Sequence, residues 1–100
     1  MPFEDECFIT AMTAQEIANI VEKFYHEPPS KYFKLVITDV RERGRRKLWV
    51  RPRHDQEPFR IAGNSQIINC ITDGGQEVTI IVPARNRELV PAEVRLAPRI

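Results

Sequence analysis

Two consecutive prolines, Pro28-Pro29, divide this chain into a helical part and a stranded part. A residue before proline avoids the helical region, and proline itself lacks the amide that a helix interior needs. Ahead of the prolines, Ile17, Ile20, Val21 and Phe24 recur at i, i+3, i+4 and i+7, a single apolar stripe. Thr13-Ala14-Gln15-Glu16 has the form of a capping box with Thr13 as N-cap, and Met12 and Ile17 stand where a hydrophobic staple closes the entry. The spacing predicts a helix over 13–27. Its stripe is core, and Gln15, Asn19, Glu22, Lys23 and His26 face away from it.

Behind the prolines, residues 32–97 read as antiparallel strands. Tyr32 to Arg53 forms a hairpin turning near Gly44. If Glu42-Arg43-Gly44 is a three-residue loop with glycine in the left-handed position, Asp39 faces Lys47, Ile37 faces Trp49 and Val36 faces Val50. One face then carries Val36, Thr38, Leu48 and Val50, and the other Leu35, Ile37 and Trp49. Arg41 opposite Arg45 is a like-charge pair at the tip, which opposes the hairpin mildly. A second hairpin runs from Gln66 to Val82 around Asp73-Gly74-Gly75. A three-residue loop aligns Ile68 and Cys70 with Val78, Ile80 and Val82, whereas a two-residue loop aligns Ile67 and Ile71 with Val78 and Ile80. Both registers are open at this level, and a one-residue slip exchanges the faces. Phe59-Arg60-Ile61 is a short strand, and Glu88 to Leu96 is a last strand broken by Pro91, which belongs at an edge or bulge. Residues 1–10, with Phe3, Cys7, Phe8 and Ile9, read as an extended arm or edge strand.

The expected fold class is therefore α+β, one domain over residues 1–100, with a single helix across a curved, mainly antiparallel sheet of about five strands. A small β-barrel with one helix is the alternative. One hundred residues suffice for an independent core. No stretch reaches the apolar length of a membrane span, and the start Met-Pro-Phe-Glu-Asp-Glu-Cys lacks the pattern of a signal peptide. The isolated Cys7 and Cys70 then read as reduced thiols of a cytoplasmic protein.

Chemistry-bearing patterns are sparse. His26 and His54 stand alone, and neighbouring His54-Asp55 on an extended stretch point apart, so no base–orienter pair is formed. Cys70 among isoleucines reads as a buried structural thiol. The cysteines and histidines lack metal-ligand spacing, and Asp73-Gly74-Gly75 is a turn without a phosphate-loop context. Neither an enzyme nor a metal or cofactor site is expected.

Charge carries more. The net charge is +1, but residues 1–30 hold six acids against Lys23, and residues 31–60 hold ten bases against four acids. An acidic surface (Glu4, Asp5, Glu6, Glu16, Glu22) and a basic surface (Arg41, Arg43, Arg45, Arg46, Lys47, Arg51, Arg53) are expected on one small body. Arginine-rich loops and opposed charges suit docking on a protein. The first expectation is therefore a non-enzymatic protein-binding domain, an inhibitor or adaptor. One version of it is a phage-type, anti-CRISPR-like inhibitor, for which only size and the lack of chemistry speak. A bare apolar sheet edge would also admit a homodimer. The alternative is a nucleic-acid-binding module in which the Arg41–Arg53 hairpin, with Arg60, tracks phosphates while Tyr32, Phe33 or Trp49 stack on bases. Against the alternative stand a pI of 7.8 and the expected burial of Trp49 beside Leu35 and Ile37.

Overall fold

The structure, a computed structural model, describes residues 6–56 and 59–98. Its elements in chain order are β1 (Glu6–Thr13), α1 (Ala14–Tyr25), β2 (Phe33–Asp39), β3 (Arg45–Pro52), β4 (Arg60–Ala62), β5 (Ser65–Thr72), β6 (Glu77–Pro83) and β7 (Pro91–Leu96). Every strand pairing is antiparallel, in the order β3-β2-β1-β7-β6-β5-β4. A further pairing joins β3 to β5, Val50 opposite Thr72 and Pro52 opposite Cys70. That contact closes β1, β2, β3, β5, β6 and β7 into a six-stranded barrel with one helix. Short β4 continues along the edge of β5 that β3 leaves uncovered, Ala62 opposite Ser65.

Period-two alternation fills the barrel. Phe8 and Thr10, then Phe33, Leu35 and Ile37, then Leu48, Val50 and Pro52 turn inward and are buried. Ile68, Cys70 and Thr72, Val78, Ile80 and Val82, and Ala92, Val94 and Leu96 complete the interior. Helix α1 touches β1, β3, β6 and β7. Since β3 and β7 are opposite walls, the helix lies across one mouth. Ala14, Ile17, Ala18 and Val21 are its buried face, with Ile20 and Phe24 half-buried against the core. Thr13 is the N-cap, its Oγ1 accepting from the Glu16 amide at 3.3 Å. The helix ends at Tyr25, two residues before the expected boundary.

Four expectations are corrected. First, β1 is no arm or edge strand: it pairs with β2 on one side and β7 on the other. Second, the sheet has seven strands among the described residues, and β7 begins at Pro91 instead of running through it. Glu88 to Val90 belong to the preceding turn, where Leu89 is 80% exposed. A strand's first residue is a place where proline forfeits little ladder bonding. Third, the register of the β2–β3 hairpin differs by an odd number of residues: Leu35 faces Leu48, Lys34 faces Trp49 and Val36 faces Lys47. The physical reason lies in the turn. Asp39 accepts from the amides of Arg41 (2.7 Å) and Glu42 (2.8 Å), and its own amide donates to the Gly44 carbonyl, so the loop is Val40 to Arg43. Arg43, at φ 59°, occupies the left-handed position in place of Gly44. An odd shift exchanges faces, which brings Leu35, Ile37, Leu48 and Val50 together inside and puts Trp49 outside. Fourth, among the described strands β4 alone has a single neighbour, because closure gives each of the others a neighbour on both sides over at least part of its length.

The open choice at the second hairpin resolves to the three-residue loop. Ile68 faces Ile80, Cys70 faces Val78, and Gly75 takes the left-handed position at φ 87°.

Candidate functional site

The outer face of β2 and β3 collects the basic residues. Along β3, Arg45, Lys47, Trp49 and Arg51 point outward at alternate positions, about 7 Å apart on a strand rising ~3.3 Å per residue. Across on β2, Thr38, Val36 and Lys34 stand opposite Arg45, Lys47 and Trp49. Trp49 is 51% exposed and makes no ring–ring contact among the described residues. Arg41, Arg43 and half-exposed Val40 extend the face onto the loop. Two carboxylates border it, Glu42 in the loop and Asp73, whose amide donates to the Trp49 carbonyl at 3.1 Å. Asp39 is turned onto its own loop by two amide bonds, first that from Glu42 and then that from Arg41, which hold its carboxyl below the usual aspartate value.

The sequence-derived basic set therefore divides. Arg41, Arg43, Arg45 and Lys47 are exposed and project from this face or its loop. Arg51 lies over the Tyr32 ring, 5.9 Å from its centroid, and donates to the Tyr32 hydroxyl at 3.4 Å. Arg46 points to the other side of β3, pairs with Glu6 at 3.0 Å and covers the Phe8 ring at 5.5 Å. Arg53 is held by Asp55 at 2.8 Å and by Glu77. Hydrogen bonding to Asp55 leads the causes that raise its pKa further. Arg60 is exposed on β4, at the helix end of the barrel. Of the three aromatics, Phe33 is buried against Phe24 with ring centroids 5.0 Å apart, Tyr32 is covered by Arg51, and Trp49 alone is open. Lys34 was the site residue missed by reasoning from hairpin spacing: the wrong register hid its position opposite Trp49.

The described members of the acidic set, Glu6, Glu16 and Glu22, do not form one surface. Glu6 starts β1 and is paired with Arg46, whereas Glu16 and Glu22 are exposed on α1 beyond the other end of that strand, about 17 Å away along the paired β7, whose Leu96 and Pro91 stand opposite Glu6 and Thr13. Glu4 and Asp5 lie outside the described residues.

The remaining titratable groups are committed separately. Cys70 is sealed in the barrel, and burial pushes its thiol up to about 12. His54 stacks on Tyr25 at 5.3 Å and donates from Nε2 to the Tyr25 carbonyl at 2.9 Å, while Asp55 pairs with Arg53. Cys70, His54 and Asp55 are thus not brought to a common centre. Cys7 donates to Glu93 Oε1 at 3.3 Å and is raised by burial first and by Glu93 second. No group of His, Cys, Asp and Glu able to hold a metal ion occurs among the described residues. A shallow concavity of about 200 Å³ between α1 and the barrel is lined by Gln15, Asn19, Glu22, Phe59, Gln66 and Arg87. That is below the range of cofactor pockets. No described helix is long and apolar enough to cross a membrane.

Comparison of the chain with protein-family models, with curated proteins and with solved structures finds no match.

Proposed function

We propose that this protein is a nucleic-acid-binding module that uses the outer face of β2 and β3. The observation that carries the reading is Trp49, half-exposed on a barrel wall with Lys34 directly across and Lys47 and Arg51 two positions either side. An open indole among cations unites the two groups that nucleic acids engage, a ring for bases and positive charge for phosphates. The expected burial of Trp49, which weighed against this reading, does not hold. The near-neutral total charge is also less of an objection, because the acids Glu16 and Glu22 lie at the helix end, away from the basic loop.

The test is fluorescence anisotropy of labelled duplex DNA and single-stranded RNA, at low and near-physiological salt. A triple variant, Arg43→Glu, Arg45→Glu and Lys47→Glu, is expected to weaken binding uniformly across sequences and to flatten the salt dependence. Loss of three phosphate contacts reduces the logarithmic salt slope by about 2 to 3. Arg46 is left intact, since it holds Glu6 and Phe8. An unchanged slope, or no binding by the native protein even at low salt, would sink the proposal.

A protein partner is the second reading, favoured by β4. All three β4 residues are exposed, Ile61 by 68%, and among the described residues the strand has β5 as its one neighbour in the sheet. A partner's strand can add to such an edge, in keeping with an inhibitor or adaptor role. Affinity capture returning one stoichiometric protein, lost in an Ile61→Lys variant, would support it.

A further inference from the structure

The same face also indicates the state of the nucleic acid, an inference that rests on the reading above. We propose that the β2–β3 face takes a single strand, with an unpaired base stacked on the Trp49 indole and the adjoining phosphates on Lys34, Lys47 and Arg45.

Three observations converge. An indole gains from stacking only when it meets another ring face, and within a duplex both faces of each base are covered by its neighbours. Trp49 is open on the outside of the wall and shares no ring contact with the described aromatics, so it offers a face that a splayed base fills. Second, the ribbon is held in the barrel. Strand β2 is bonded to β1 at Ile37 to Asp39, and β3 to β5 at Val50 to Pro52. A two-stranded ribbon fits the roughly 12 Å major groove, whereas here each strand of the ribbon has a further strand alongside part of its length, which widens it. Third, the cations surround the indole instead of forming a remote stripe. Lys34 is its cross-strand neighbour, with Cβ atoms about 5 Å apart, and Lys47 is one outward position along β3. A base on Trp49 thus brings its own phosphates within reach of both lysines, and Arg45 extends the row toward the loop.

Among the described residues of this face the platform is a single one. Tyr32, the other aromatic on this face, has its ring occupied by the Arg51 guanidinium. One stacked base with flanking phosphates makes for short-oligonucleotide binding with little sequence preference, because every base has a ring face.

Trp49 is the chain's only tryptophan, so its emission reports on the proposed contact directly. The protein is titrated with a short oligothymidylate and with a duplex of the same length at equal ionic strength, following oligonucleotide anisotropy and tryptophan emission together. The expected result is tighter binding of the single strand with quenching of the emission, and weaker duplex binding without it. Trp49→Ala should weaken single-strand binding about 5- to 150-fold and leave duplex binding unchanged, with Trp49→Phe restoring most of the loss. The native protein's quenching keeps the test valid should Trp49→Ala fold poorly. Equal binding of both forms with unquenched emission would overturn the single-strand inference and leave the nucleic-acid reading standing. Binding of neither form would overturn both, and a protein captured at this face would then take its place.

Discussion

Substituting lysine at two adjacent positions tests the face assignment on which the site depends. Leu48 is 9% exposed and faces the barrel interior, whereas Trp49, the next residue, is 51% exposed and faces out. Leu48→Lys forfeits the burial of a leucine side chain, about 1.5–3 kcal/mol. It also presses an ammonium toward Leu35 and Val50, a further penalty of several kcal/mol where no partner is supplied. A loss of at least ~4 kcal/mol compares with a total stability of about 5–15 kcal/mol for domains of this kind. At ~4–8 °C per kcal/mol, the melting temperature should fall by roughly 16 °C or more, or the chain should not fold. Trp49→Lys removes about 100 Å² of covered apolar surface, an upper bound of ~2.5 kcal/mol at 25 cal/mol per Å². The lysine stem re-covers much of that area while its ammonium stays in water, leaving about 1 kcal/mol. Thermal and urea melts read by far-UV circular dichroism compare the two, because fluorescence is lost with the only tryptophan. Iodide should quench the native emission. A larger loss at Trp49 than at Leu48, or a native emission shielded from iodide, would refute the register and the exposed platform together.

Three other outcomes are expected. Val21→Asp should unfold the domain, because Val21 is fully buried where the helix seals the barrel. Ile20→Asp, half-buried, should retain a cooperative melt at reduced temperature, and equal effects would misplace the helix face. With iodoacetamide at mildly alkaline pH, Cys7 should be labelled slowly and Cys70 only on unfolding, and mass spectrometry showing rapid labelling of native Cys70 would contradict the sealed interior. Asp39 and Asp55 have folded-state carboxyls below the ordinary aspartate value, the first through amide bonds and the second through Arg53. Their contribution is present above the unfolded value near 3.8 and is lost as pH falls through the lower folded values. Asp39→Ala should therefore show a shallower loss of melting temperature on acidification below about pH 4, and an unchanged acid limb would count against the amide-bonded carboxylate.

Local chemistry made the helix and the second hairpin legible from the residues alone. Thr13, the Ile17–Phe24 stripe and Pro28-Pro29 are short-range signals for start, face and stop, and each acts within a turn or two of chain. Asp73-Gly74-Gly75 specifies a turn by backbone freedom at Gly75, and the alternation around it left two registers, of which the barrel interior selects one. Strand β1 was obscured because an N-terminal stretch carries no mark of being paired on both sides. The first hairpin misled for a different reason. Glycine at position 44 advertised a turn that Asp39, through two amide bonds, built one residue earlier, with Arg43 taking the left-handed position. An odd shift cannot be detected from β2 and β3 alone, since both faces hold apolar residues. Only closure of β3 onto β5 gives the wall an inside, and that inside takes Leu48 and Val50. Composition and order thus determined one capped helix followed by antiparallel strands with a basic hairpin. Whether the sheet closed, and so whether Trp49 met the core or the solvent, was decided by contacts between residues far apart in the chain.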